Sequence, residues 1–377
     1  MASDEKKHAQ PVGFLELFYD LVFVASIMVL SNEFSQNLTW ESAGQCVLMF
    51  ALLWLLWFHT TILMNVERRD DLGQRGLIFI QMFLIFAMTI AFVSRDDSSD
   101  LVGLLYFLAV MVMAYSHHRL RESEGEIGPW AIARRNRLFL SGLVMSIGIF
   151  IPSPQDAIMY SIAIFLLVVP TSLSQRGRPV PNIDAHHLAE RAALLTLITF
   201  GESFVKVALV LSGGPIETSD VLGVIIIFVL LFGLYSTYFD DFPSAGIRPG
   251  ALAGEIWLLA HFVLQVGIVS VAVGVSKYVR LHNGYVYDEA VVILTVAFAL
   301  IYLGLAAIGQ FSEREPHGPL TTLRLGTAAL VVINGVVCWY SHWYSASLYL
   351  LSLVVITALH AVVASRLIQR TEIVHAV

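Results

Sequence analysis

Charge is the first thing this chain is short of. Asp, Glu, Lys and Arg make up only 14% of its 377 residues, against about 25% in soluble domains. With 57% hydrophobic residues and a mean hydropathy of +0.75, a water-soluble fold would need a larger core than single domains build. Cysteine is nearly missing too. Two residues, Cys46 and Cys338, cannot make a disulfide framework and have no metal-type spacing. A basic excess is absent: the formal net charge is −7, which excludes the basic stripe of a nucleic-acid partner. No GxxxxGK[ST] loop occurs, so ATP could act only through another chain. The alternating pattern of a barrel wall is lacking as well. The run from Phe14 has no small-residue cleavage site and carries two carboxylates, so no cleavable signal peptide is expected.

What is present is a series of continuous apolar runs. They fall near 14–35, 43–65, 73–93, 101–118, 135–151, 156–174, 188–212, 219–239, 251–275, 287–310, 319–341 and 346–366. A membrane helix needs about 20 such residues, so the expected fold is an all-α integral membrane protein of about twelve spans. The fifth run is the weakest. It is kept as a span by letting Arg134, Arg135 and Arg137 snorkel at its start. With these spans every Lys and Arg falls on the N-terminal side, except Arg95, Lys277 and Arg280 opposite and Lys206 inside a span. The positive-inside rule then puts both termini in the cytoplasm. Trp339, Tyr340, Trp343 and Tyr344 form an aromatic belt at the outer interface.

The second half of the chain echoes the first. Leu15-Glu16 opens span one and Ala189-Glu190 opens span seven; Arg69-Asp70-Asp71 follows span two and Phe239-Asp240-Asp241 follows span eight. Arg137-Leu138 in span five returns as Arg324-Leu325 in span eleven. Six spans per half is an even number, so the halves are expected to be parallel pseudo-repeats about an axis along the membrane normal. The expected division is a tail (1–13), a first six-helix half (14–174), a linker (175–187), a second half (188–366) and a tail (367–377). Pro179 and Pro181 keep the linker from continuing a helix.

Charges inside spans cost several kcal/mol, so each asks for a reason. Glu16 and Asp20 sit one helical turn apart on one face of span one. His186, His187, Glu190 and Arg191 open span seven, in a spacing that a metal or simply a wet helix end could use. Glu202 follows Gly201 about 18 Å beyond Glu190, near the expected midplane, and Lys206 stands at i+4 in the favourable order for a pair. His59, Asp70, Asp71, Glu255 and His261 are possible contributors. The structural alternatives are helix N-terminal carboxylates for Glu16, Glu190 and Glu255 and a neutralised contact for Glu202 with Lys206. No metal centre or cofactor is assigned.

Two stretches resemble the bacterial low temperature requirement protein A family: Leu15-Glu16-Leu17-Phe18-Tyr19-Asp20-Leu21-Val22-Phe23-Val24, and His187-Leu188 with Glu190-Arg191 followed by Phe200-Gly201-Glu202-Ser203. Asn65, Arg69, Asp70, Asp71, Arg75, Gln81 and Met82 look like its segment between spans two and three. Lys206 has no place in that pattern. The resemblance implies a multi-pass bacterial membrane protein needed for growth in the cold, without a defined reaction. The function expected from the residues is a proton- or cation-coupled secondary transporter of a small molecule or ion. A membrane sensor or partner-binding protein, an intramembrane enzyme acting on a lipid, and a channel are the alternatives. The lipid bilayer is the expected surrounding partner.

Overall fold

The computed structural model describes residues 12–66, 71–94, 99–123, 125–152, 155–169, 181, 183–240, 246–279, 288–313, 317–341 and 345–376. Among these residues the regular structure is helical. The helices are α1 (Phe14–Gln36), α2 (Trp40–Val66), α3 (Leu72–Val93), α4 (Ser99–His118), α5 (Ile127–Gly148) and α6 (Asp156–Val168), then α7 (Ala185–Ser212), α8 (Thr218–Phe239), α9 (Ala251–Tyr278), α10 (Asp288–Gln310), α11 (His317–Tyr340) and α12 (Ala346–Ala376). Each coincides with one of the apolar runs. In hydrocarbon a helix satisfies its own backbone groups, so a continuous apolar run has few alternatives.

Ten of these helices are long and apolar enough to cross a membrane. α6, with 13 described residues, is about 20 Å long and shorter than the hydrocarbon core. α5 is the other exception, and its arginines do not behave as a snorkelling group. Arg134 is only 1% exposed, buried eight residues into the sequence of α5. Large apolar side chains cover the outside of the bundle instead, as with Phe79, Phe83 and Phe86 on one stripe of α3. On a soluble protein such stripes would be a binding patch; here they suit lipid.

Packing repeats a single neighbour order. In the first half α1 packs on α3, α3 on α4, α4 on α5, α5 on α6, and α2 returns to α6. In the second half α7 packs on α9, α9 on α10, α10 on α11, α11 on α12, and α8 returns to α12. The tightest crossing is α9 with α10. A Cβ at Gly304 would lie 2.7 Å from the Leu264 backbone nitrogen, and one at Gly267 would lie 2.8 Å from the Ala297 carbonyl oxygen. Small residues therefore set this approach, as in many membrane helix pairs. Across the halves, α1 and α2 meet α7 and α9. α2 is the innermost helix, with 83% of its apolar window buried. Cys46 and Cys338 are both buried free thiols.

The α1–α7 contact has a defined direction. Three of its polar bridges, Glu16 with His187, Asp20 with Arg191 and Ser31 with Glu202, each span 171 residues of sequence. A constant offset requires that the two helices run parallel and in register, over about 22 Å from the first bridge to the last. Ile27 and Ile198 share that offset. A flexible bis-maleimide should therefore join Ile27→Cys to Ile198→Cys in membranes. It should not join Ile27→Cys to Ala185→Cys, and a product from the second pair alone would refute the parallel register.

Candidate functional site

The residues singled out by their charge assemble mainly at one end of the bundle, the end where α1 and α7 begin. Asp184 caps α7 through the His187 amide at 3.1 Å. Its backbone is held to Asn65, near the end of α2, by two hydrogen bonds: Asn65 Nδ2 to the Asp184 carbonyl at 2.9 Å, and the Asp184 amide to Asn65 Oδ1 at 2.8 Å. His187 is consequently fixed between α1 and α2. Its Nε2 lies 3.1 Å from Glu16 Oε2 and its Nδ1 lies 3.4 Å from the Asn65 amide nitrogen. Asn65 Nδ2 can only donate, so the network assigns the proton of a neutral His187 to Nε2. The same Glu16 oxygen accepts the Gly13 amide at 2.9 Å. Glu16 thus serves both as the helix N-terminal carboxylate and as part of the cluster.

One turn deeper the charge is fully enclosed. Asp20 and Arg191 are both 0% exposed, and the Arg191 Nη2 donates to Asp20 Oδ1. Trp57 Nε1 donates to the same oxygen at 2.6 Å. Arg191 also lies 3.5 Å from Glu16, 3.3 Å from the Met64 sulfur and over the Trp57 ring at 5.7 Å. Two carboxylates therefore share one guanidinium, with the α2 indole as neutral donor and cation–π face.

A second buried ionic centre lies on the other side of α2. Arg134 from α5 pairs with Glu255 from α9, each 1% exposed, and its Nη1 donates to His59 Nδ1 at 3.1 Å. His59 Nε2 in turn faces the Leu167 carbonyl at 3.3 Å, so this ring too is the Nε2–H tautomer. Arg134 stacks over Trp130, 4.9 Å from the ring centre. The neighbouring Arg137 donates to the Leu166 carbonyl at 2.5 Å and to the Val169 carbonyl, closing the end of α6.

The remaining candidates separate from these clusters. Glu190 is half-buried and joins neither, and His186 is exposed. His261 is buried in a local contact, with Nδ1 on the Trp257 carbonyl at 2.9 Å and Nε2 at 3.1 Å from the Tyr238 hydroxyl. Asp71 caps α3 and pairs with Arg119 at 2.9 Å on the surface. The Gln74 amide and the Arg119 guanidinium hold its carboxyl below the usual carboxylate range. Asp70 lies outside the described residues. Among the described residues, no group of three His, Cys, Asp or Glu is arranged to hold a metal ion.

Glu202 stands apart at the far end of the seam, level with Ser31. That level is about 8 Å from the end of α1 and, on α7, about 5 Å beyond its middle and about 15 Å from its end. Its Oε1 accepts the Ser31 hydroxyl, and its Oε2 is buried without a hydrogen-bond partner among the described residues. The expected pair with Lys206 is not formed within 4 Å; the carboxylate turns to α1 instead. Lys277 of α9 donates to the Ser35 carbonyl at 2.5 Å nearby.

Sequence reasoning missed Arg134, Trp57 and Ser31 as site residues. A serine in a span gives no signal of its own, and Trp57 lies in an apolar run. Arg134 did carry a signal: it is eight residues inside a helix, as deep as Arg191. Arg324, which the sequence pattern sets against Arg137, is 0% exposed where Arg137 is half-buried, and it donates to the Leu305 carbonyl at 3.2 Å.

Removing one partner of a buried ion pair costs about 3–5 kcal/mol, because the other charge stays buried and unpaired. Glu255→Gln should therefore lower the melting temperature of the detergent-solubilised protein sharply. The apolar double replacement Arg134→Met with Glu255→Leu should recover most of it. Equal damage from the single and the double change would show that the pair is not what holds α5 to α9.

The sequence pattern of the bacterial low temperature requirement A protein (LtrA) family matches residues 11–368, and the chain belongs to that family. It is 26% identical over 367 residues to an uncharacterized protein of Rhizobium meliloti (strain 1021), covering 89% of this chain and 81% of that protein. No solved structure matches it.

Proposed function

We propose that this LtrA-family membrane protein is a proton-coupled secondary carrier of the bacterial cytoplasmic membrane, built as two parallel six-helix pseudo-repeats with both termini in the cytoplasm. Glu202 is its proton site, and the α1–α7 seam is the contact that the proton controls. One observation carries this reading. Among the described residues, Glu16, Asp20 and Glu255 each have an arginine or histidine within ion-pair distance, whereas Glu202 is hydrogen-bonded to a serine hydroxyl and has its nearest cation, the buried Lys206 one turn along α7, beyond 4 Å. A carboxylate locked to a guanidinium is a poor proton carrier; one facing a hydroxyl, without a cation in direct contact, exchanges its proton at lower cost.

The Ser31 hydroxyl suits both protonation states. It lies within hydrogen-bond distance of Glu202 Oε1 and 3.0 Å from the Met28 carbonyl. When Glu202 is ionised, Ser31 donates to it and ties α1 to α7. When Glu202 is protonated, its O–H donates to Ser31 Oγ, whose own hydrogen turns to the Met28 carbonyl. The link between the helices then changes from charge-assisted to neutral, roughly halving its strength. The two ionic centres at the opposite end hold the register while this end loosens. The parallel direction of α1 and α7 and the repeated neighbour order support the two-repeat architecture. The pairing of the other three acids is the observation that favours the second reading, a membrane sensor or partner-binding scaffold.

The test is proton movement. In proteoliposomes with an internal pH dye, a small-molecule cell extract added on one side only should change the lumenal pH in the wild type, with opposite sign when the extract is placed on the other side. Glu202→Gln, which still accepts from Ser31, should fall to the rate of empty vesicles while melting within a few degrees of the wild type. Wild-type vesicles no faster than empty ones, or an unimpaired Glu202→Gln, would favour the scaffold.

A further inference from the structure

Ser31, which holds Glu202, also lines an apolar groove. Its inner part is a hollow of about 160 Å³ between α1, α2, α9 and α10, lined by Ser31, Phe34, Phe50, Ser270 and their apolar neighbours. It continues toward the far face as a second hollow of about 290 Å³, with Glu289, Trp40 and Trp339 in its walls. Phe34, Trp40, Ala43, Val292 and Ile293 line both. The combined space is that of a small-molecule site, mostly apolar with a few polar groups. Ser31 is therefore shared: it touches the groove and holds Glu202.

Charge decides what would occupy it. The mouth carries the Glu289 carboxylate and lies beside the last turn of α1, where the helix presents its negative end. The two indoles and the phenylalanine rings offer faces that attract cations. Glu202 is not itself a lining residue; it reaches the groove through Ser31, and its Oε2 is buried without a hydrogen-bond partner among the described residues. The cations at this end are Lys206, one turn beyond Glu202 on α7, and Lys277 of α9, whose ammonium is held by the Ser35 carbonyl. α2 adds Cys46 to the groove wall, and α8 adds Asp220, held at its own N-terminus by the Glu217 amide at 2.9 Å.

Resting on the carrier reading above, we propose that this groove is the substrate site, that its substrates are lipophilic organic cations entering from the far leaflet, and that they compete with the proton for Glu202. An aromatic or alkyl ammonium would place its apolar body against Phe34, Phe50 and Val292. Its charge would approach Ser31 and Ser270, within the field of the Glu202 carboxylate. Binding of the cation to the ionised acid and binding of the proton then exclude each other, which is the exchange that a coupled carrier requires.

The probe is tetraphenylphosphonium, with triphenylphosphine oxide as the uncharged analogue and tetraphenylborate as the anion. Equilibrium dialysis on the full-length protein in detergent should show saturable binding of the cation, weakening as the pH falls. In weak buffer, each bound cation should release a proton. Glu202→Gln should reduce affinity by about tenfold or more and abolish the proton release. Ala43→Trp or Val292→Phe, which fill the groove from opposite walls, should block cation binding and with it the cation-driven proton release. Melting curves identify any variant that has not folded, and two independent walls keep the test decisive. Equal affinity for the uncharged analogue, or cation binding that survives both groove variants, would overturn the proposal while the carrier reading stands. Proton uptake unchanged in Glu202→Gln would instead refute the carrier reading itself.

Discussion

The buried pair of Asp20 and Arg191 is the constraint on which the rest of this molecule depends. A guanidinium and a carboxylate in a membrane interior are each costly alone. Their pairing fixes α1 against α7 in one direction and one register. Once that register is set, Glu16 necessarily meets His187, and Ser31 necessarily meets Glu202. Sliding by one residue would break all three at once, the helical counterpart of a register lock. α2 completes the lock because Trp57 and Asn65 reach the same groups from a third direction.

The far end of the seam is built differently, and that contrast carries the functional argument. Two arginines anchor the end where α1 and α7 begin, Arg191 on one side of α2 and Arg134 on the other. At the other end, among the described residues, the seam is bridged by a carboxylate and a hydroxyl, and the serine of that bridge also lines the apolar groove. Between them run Val24, Ile27 and Leu195, all nearly or fully inaccessible. The seam thus has an ionic end and a carboxylate–hydroxyl end, and on the proposed carrier reading the second opens while the first holds the register.

How much of this could be read from the sequence follows from the range of each interaction. The spans were legible because a run of apolar residues is local information. Glu16, Asp20, His187 and Arg191 were legible as a group because a charge in a span demands a partner, and few partners exist. The partner of Glu202 was not legible. Lys206 at i+4 was the only candidate that spacing could offer, whereas the contact actually made crosses 171 residues to a serine. Arg134 was misjudged for a related reason. Beside Arg135 and Arg137 it reads as one of a snorkelling set, and only the packing of α5 on its neighbours turns it inward to Glu255, 121 residues away. The short described length of α6 was likewise hidden, because its sequence is as apolar as that of any span.

The central claim is that Glu202, and not the ion-paired acids, is the carboxyl group that gains and loses a proton in the folded protein. Infrared difference spectra of the reconstituted protein, recorded between alkaline and acidic buffer, report the carbonyl stretch of a protonated carboxyl group directly. The account predicts one such band from a buried acid, absent in Glu202→Gln and retained in Asp20→Asn and Glu255→Gln. A band that survives Glu202→Gln and disappears with Asp20→Asn would place the exchangeable proton at the ionic end and contradict it.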